Sequence, residues 1–290
     1  YEKQKVDSHN LYTGVKELDA SEQIIKELQD KGEVEWKETL HPNQFVIFRT
    51  VKSDDVYIAR YKQDKDKLVY VKRSRRKVWG IKPLNPRQVT ALDLLLDDSV
   101  PLVTLVGKAG TGKTLLSIVV GLKKVHDTDI YTRLLISRPI VPMGKDIGYL
   151  PGDKEAKLKN WMQPLFDNLE YIVGSYKKID VLTVQELVNQ NFIEIEALTY
   201  IRGRSLPHQF IIIDEAQNLT HHEVKTMVSR VGNNSKIVLT GDPYQIDNPY
   251  LDEESNGLIY VAERFKGHEL AGHIILSKSE RSPLAALAAE

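Results

Sequence analysis

Residues 102–114 read Leu102-Val103-Thr104-Leu105-Val106 and then Gly107-Lys108-Ala109-Gly110-Thr111-Gly112-Lys113-Thr114. An apolar run of strand length is thus followed at once by the G-x-x-x-x-G-K-T spacing of a P-loop. The glycines let the backbone turn its N–H groups onto a phosphate chain. Lys113 can reach the terminal phosphates, and the Thr114 hydroxyl is placed to ligate Mg²⁺. The loop opens the next helix, so the positive end of that helix faces the same anion. Gly107, Lys108, Ala109, Gly110, Thr111, Gly112, Lys113 and Thr114 are therefore the expected phosphate contacts. A Gly-rich linker, the plain alternative, would have no reason to sit between a strand and a helix.

A second stretch turns binding into chemistry. Phe210-Ile211-Ile212-Ile213-Asp214-Glu215 is an apolar strand that carries carboxylates to its C-terminal end, where open parallel sheets place ligands. Asp214 is expected to hold Mg²⁺ through water, and Glu215 to orient or deprotonate an attacking water. The adjacent acids point to hydrolysis, because a phosphotransferase has to keep water out. No Asn-Lys-x-Asp suggests guanine recognition. Lys236 to Thr240 is the next strand and runs into Gly241-Asp242-Pro243-Tyr244-Gln245, where Gln245 is expected to sense the γ-phosphate or hold the water.

Working outward, Asn85-Pro86 starts a helix with Asn as N-cap and Pro at the first helical position, and Val89, Leu92, Leu95 and Leu96 follow at helical spacing. Gln88 in its first turn either pairs with an adenine edge or is a surface glutamine. Arg133 to Ser137 reads as a buried strand ending at Arg138-Pro139, and Asp153 towards Gly174 as a long helix that Pro164 should kink. Thr183 with Glu186 and Thr220 with Glu223 are capping boxes. Phe192 to Leu198 alternates like a strand, and His273 to Leu276 is the last one. Arg202-Gly203-Arg204 can fork onto phosphates or simply be exposed at a turn. Arg281 is the best candidate for a cation completing the nucleotide site, in cis or from a neighbouring subunit, against the plain reading of a surface arginine. His221 and His222 point apart on a helix and make a poor metal site.

The N-terminal part has a different period. Residues 1–17 show none. Asp19 and Glu22 read as a capping box for a helix ending at Gly32, and Gln44 to Thr50, Asp55 to Tyr61 and Leu68 to Arg73 read as an antiparallel meander. Residues 1–82 are thus expected to form a small α+β or barrel-like subdomain before an α/β domain at 83–290. They carry 18 Lys and Arg against 14 Asp and Glu, with the excess in Lys72-Arg73-Ser74-Arg75-Arg76-Lys77. Beside Tyr57, Tyr61, Tyr70 and Trp79, that run is either a nucleic-acid surface or a solvated basic edge over core aromatics.

The chain of 290 residues is neutral overall, with 41% hydrophobic and 28% charged residues, which are globular values that argue against binding nucleic acid through bulk charge. It has no cysteine, so disulfides, thiolate zinc sites and iron–sulfur clusters are excluded and a reducing compartment fits. No apolar run approaches a membrane span and no signal-peptide core is present, so a soluble, cytoplasmic protein is expected.

Taken together, Leu84 to Gln88, Gly107 to Thr114, Ser137-Arg138-Pro139, Gly148 to Asp153, Ile201 to Ser205, Ile213 to Asn218, Leu239 to Asp247 and Glu280-Arg281-Ser282 resemble the PhoH family of P-loop ATPases, related to superfamily 1 helicases. Ser137 and Ile201 depart from that pattern, where Thr and Met are expected. The resemblance implies a RecA-like core binding ATP and Mg²⁺, assembly into a hexameric ring, and a 5′→3′ helicase activity on single-stranded RNA, with Arg138, Arg202 and Arg204 as RNA contacts. It also implies, in one branch, an upstream PIN ribonuclease domain. Residues 1–82 resemble the connecting segment rather than the nuclease, and the missing initial Met suggests a C-terminal part separated from it. The alternative is an ATP-switched module that scaffolds RNA or a nuclease. The expected parallel sheet has strands at 102–106, 133–137, 210–213, 236–240 and 272–276, in the order 5-1-4-3-2.

Overall fold

The computed structural model describes residues 11–50, 55–72, 77–128, 130–141, 154–176, 183–201 and 203–280, of which 154–160 by their backbone alone. Its N-terminal part contains β1 (Val15–Ala20), α1 (Glu22–Lys31), β2 (Glu33–Glu35), β3 (Phe45–Thr50), β4 (Val56–Lys62) and β5 (Lys67–Tyr70). The meander β3-β4-β5 is antiparallel as expected, with β1 parallel to β3 at one edge and β2 antiparallel to β5 at the other. β1 falls partly within the stretch read as patternless. It buries only Val15 and Ala20 at its two ends, so no alternation marks it, and pairing with β3 along its whole length holds it extended.

That ladder also corrects the first helix cap. Asp19 and Ala20 are paired to Arg49 and Thr50, so the first residue able to cap is Ser21, whose Oγ accepts from the Ile24 N–H. Gly32 ends α1 in the left-handed region at φ 77°, as expected.

The second part runs through α2 (Pro86–Leu96), β6 (Leu102–Val106), α3 (Lys113–Leu122), β7 (Arg133–Arg138), α4 (Lys154–Ser175), α5 (Val184–Asn189), β8 (Ile193–Ala197), α6 (Leu198–Ile201), β9 (Gln209–Ile213), α7 (His221–Val228), β10 (Lys236–Gly241), α8 (Gly257–Arg264) and β11 (Ala271–Ile275). Its sheet is wholly parallel, in the order β11-β6-β10-β9-β7-β8. The five expected strands stand in the expected order, which makes this a RecA-like α/β core. β6 and β10 are buried at every position, so neither alternates, and both carry buried polar residues, Thr104 in β6 and Lys236 and Thr240 in β10. The sixth strand, β8, is an edge strand whose glutamates alternate with Ile193, Ile195 and Ala197. Asn85 caps α2 and Pro86 opens it, both other capping boxes are present, and α4 continues through Pro164.

The two parts share one core. Val15, Phe45, Ile47 and Ile58 pack in the same apolar cluster as Leu92 and Leu95 of α2. Arg60 of β4, 2% exposed, pairs with Asp93 of α2 (3.0 Å) and with Asp97 just past its end (2.8 Å), and donates to Asn43 Oδ1 (2.6 Å). At the far end of α2, Lys236 is fully buried and donates to the carbonyls of Leu94, Asp97 and Val100 at 2.8 Å each. Lys236→Met keeps the stem and strands three carbonyls, each worth about 1–3 kcal/mol when buried and unpaired. Urea unfolding of that variant is expected to show a loss of at least about 3 kcal/mol.

His273 of β11 is buried against Thr104, whose Oγ1 lies 2.7 Å from Nδ1. Burial pulls the imidazole down to about 4 from its ordinary 6.5. Between those values the unfolded chain takes up a proton that the folded chain refuses, so stability falls as pH drops through that window. A loss of about 2 kcal/mol between pH 7 and pH 5 is expected from this group. His273→Gln should flatten the pH dependence of the unfolding free energy, read from urea titrations, by that amount.

Candidate active site

The C-terminal ends of β6, β7, β9 and β10 open onto a cleft of about 220 Å³ lined by Lys113, Thr114, Arg138, Asp214, Glu215 and Gln245, among others. The P-loop is braced from behind. A Cβ on Gly107 would stand 2.3 Å from the Leu276 carbonyl, so no other residue fits there at this approach, and the Gly107 N–H donates to Gly241 O (3.1 Å). Lys113 Nζ donates to the carbonyls of Gly107 and Lys108, and Thr111 Oγ1 to Lys108 O (2.9 Å). Gln88 is buried behind the loop. Its Oε1 accepts from Leu84 N (2.7 Å) and its Nε2 donates to Thr111 O (3.0 Å), so its amide ties the segment before α2 to the P-loop and is spent on backbone rather than free at the surface. The chain beyond β11 returns to the same place: Glu280 N donates to Gly110 O (3.0 Å), and Glu280 Oε1 accepts from the α2 cap Asn85 (2.8 Å).

β9 delivers the acid pair opposite. Asp214 is buried, and its Oδ1 accepts from the hydroxyls of Thr114 (2.8 Å) and Thr240 (2.6 Å). Burial pushes its carboxyl above the usual range, the neighbouring Glu215 adds to that, and Arg138 and the two hydroxyls oppose it. The adjacent Thr114 hydroxyl and Asp214 carboxylate are hard oxygen donors of the kind Mg²⁺ takes beside substrate phosphates. Among the described residues no cluster of three or more His, Asp or Glu forms a separate metal site.

Glu215 lies in the left-handed region (φ 56°, ψ 39°), a conformation costly for a non-glycine residue and common where a site holds a side chain in one direction. Both of its oxygens have donors: Arg138 Nη2 at 2.8 Å on Oε1 and Gln217 Nε2 at 2.5 Å on Oε2. Gln217 has no assigned role from the sequence alone. It is fully buried, donates to the Gln245 carbonyl (2.8 Å), and accepts from Asp242 N (3.2 Å), so one side chain ties Glu215 to the loop after β10. A Cβ on Gly241 would stand 2.1 Å from Gln217 Oε1, so this glycine is what admits the bridge. The signal was its position two residues beyond Glu215, but a buried bridge has no periodicity to betray it. The Gln245 side chain is exposed at the mouth of the cleft.

Two of the arginines expected on RNA are paired with acids. Arg138, expected on RNA, is turned inward onto Glu215 and lies 3.7 Å from Asp214 Oδ2, because β7 neighbours β9 in the sheet. Arg204 is paired with Glu194 (2.6 Å) and Glu196 (3.2 Å) of the edge strand, the residues that make β8 alternate. Arg202 and Arg281 lie outside the described residues, as do 73–76 of the basic run and the Gly148 to Asp153 motif. Trp79 is buried, stacked on Tyr176 at 4.4 Å with its Nε1 on Asp127 (3.0 Å), so it is a core aromatic and offers no face to a base. Tyr57, Tyr61 and Tyr70 are half-buried against the N-terminal apolar cluster.

A family model described as PhoH-like protein matches residues 80–289, which include the P-loop, the acid pair and the Gln245 loop. The chain belongs to the PhoH family. Among its PhoH relatives, Protein PhoH2 of Bacillus subtilis is 52% identical over 98% of this chain and 65% of its own length. Protein PhoH2 of Mycolicibacterium smegmatis is 37% identical over 96% of this chain and 62% of its own. The chain therefore spans less than two thirds of the length of these PhoH2 proteins. The UvsW helicase of bacteriophage T4 is a distant structural likeness, at TM-score 0.40 and 12% identity over 68% of this chain and 61% of that one. The strand order and the P-loop establish the PhoH chain as a P-loop ATPase core without it. Among the described residues no helix is long and apolar enough to cross a membrane.

Proposed function

We propose that the chain hydrolyses ATP at the cleft between the P-loop and Asp214-Glu215, and that this hydrolysis drives work on single-stranded RNA. The observation that carries the hydrolysis is the pairing of a P-loop with a strained, doubly hydrogen-bonded Glu215 across one cleft. The backbone of Gly107 to Thr114 and the Lys113 ammonium hold the phosphates. Thr114 and Asp214 would hold Mg²⁺, which supplies charge neutralisation at the β- and γ-phosphates. Glu215 orients the attacking water and takes its proton as the bond to the bridging oxygen breaks, leaving ADP and inorganic phosphate. Gln245, joined to Glu215 through Gln217, reports which phosphate is present to the loop after β10.

RNA as the substrate, a homo-oligomeric ring, a PIN ribonuclease domain in cis and a cytoplasmic setting come from the family resemblance. On that reading Arg281, next to the anchored Glu280, completes the nucleotide site in cis or across a subunit boundary. ATP turnover with and without single-stranded RNA or DNA, on protein whose mass in solution has been measured, tests it. Turnover rising severalfold with RNA, from an oligomer, is the expected result. Slow turnover indifferent to RNA would instead mark an ATP-switched scaffold.

A further inference from the structure

We propose that Arg138 is a positioning residue for Glu215, held in place by Trp161 of α4, rather than a contact for a nucleic-acid phosphate. The inference rests on the hydrolytic reading of Glu215. Arg138 sits at the end of β7, the strand beside β9, so its side chain reaches across to the acids that β9 delivers. One arm of the guanidinium holds Glu215 Oε1 at 2.8 Å, and the other donates to the Trp161 carbonyl at 3.2 Å. The guanidinium carbon stands 5.3 Å from the centroid of the Trp161 ring, so the plane of the fork is fixed from the helix side as well.

An arginine kept for a polyanion presents its donors to solvent. This one has a side chain only 14% exposed, spends both terminal nitrogens inside the protein, and buries an Nε that has no hydrogen-bond partner among the described residues, 3.7 Å from Asp214 Oδ2. With Gln217 on the other oxygen, the Glu215 carboxylate is clamped from two sides. Only Arg138 can supply a charge to this clamp, since Gln217 is neutral. Arg138 also offsets the repulsion between the neighbouring carboxylates of Asp214 and Glu215. A planar fork is required, because a lysine ammonium cannot hold Glu215 and the Trp161 carbonyl in one fixed geometry. A misplaced group of this kind costs about 10²-fold in rate.

The test uses Arg138→Met, Arg138→Lys and Trp161→Leu, each checked for an unchanged melting transition. Arg138→Met should lower kcat about 10²-fold with the KM for ATP within about threefold, and Arg138→Lys should recover only part of that. Trp161→Leu, should Arg138→Met fail to fold, is expected to lose about tenfold in kcat in the same pattern. The deciding readout is single-turnover hydrolysis in the Glu215→Gln background, where Arg138→Met should add less than about a threefold loss, since a residue acting through Glu215 has nothing left to position. Equal losses in both backgrounds would overturn the proposal, as would intact basal kcat with weakened RNA stimulation, which would return Arg138 to RNA. Unchanged turnover in Glu215→Gln alone would instead refute the hydrolytic reading.

Discussion

Lys113→Ala is expected to lower ATP hydrolysis by about 10³-fold or more, while the protein keeps its fold. Lys113 is the one side chain of the P-loop that can follow charge onto the transferring phosphate, and the cleft places it opposite Asp214 and Glu215. In the described structure its ammonium donates to two carbonyls of its own loop. The Gly107 carbonyl is buried and the Lys108 carbonyl part-buried, so the alanine variant leaves one buried acceptor without its donor, at a cost of about 1–3 kcal/mol that the fold can bear. The glycine geometry, the Gln88 brace and the Leu276 contact with Gly107 do not depend on the lysine. Circular dichroism and the melting transition should therefore match the parent within a few degrees, while phosphate release disappears. Turnover at the parent rate would remove the P-loop from the chemistry.

Glu215→Gln is expected to bind ATP as tightly as the parent and to hydrolyse it about 10²- to 10⁴-fold more slowly. The substitution keeps size and shape, and its amide oxygen can still accept from Arg138, so the loop after β9 should stay in place. What it loses is the capacity to take a proton from water. Its amide N–H₂ would also face Gln217 Nε2, donor against donor, where the carboxylate now accepts at 2.5 Å. Binding of a fluorescent ATP analogue, measured beside phosphate release, separates the two effects. A variant that fails to bind would mean that Glu215 supports the phosphate site rather than the hydrolytic step.

Much of this was legible in the sequence because the decisive features are local. Gly107 to Thr114 is a run of eight residues, Asn85-Pro86 and the Thr-x-x-Glu boxes are caps read at fixed offsets, and β6, β9 and β10 are mostly apolar. Features set by the partner of a residue were hidden. Asp19 reads as a cap because nothing local says that β1 pairs with β3 through Ala20. The resemblance assigns Arg138 to RNA, and nothing local opposes that, since only the β7–β9 pairing aims it at Glu215. Arg204 looked free until β8 brought Glu194 and Glu196 beside it. Gln217 was invisible in its role because its three hydrogen bonds reach the residue before the preceding one and a loop some thirty positions on.

The time course of free phosphate released from ATP and Mg²⁺ by the unmodified chain, followed at a known protein concentration, bears on the whole reading at once. Many phosphates released per chain, with ADP in equal amount, is the predicted result. Less than one phosphate per chain, or transfer of the γ-phosphate to another acceptor, would contradict hydrolysis at the Lys113–Glu215 cleft.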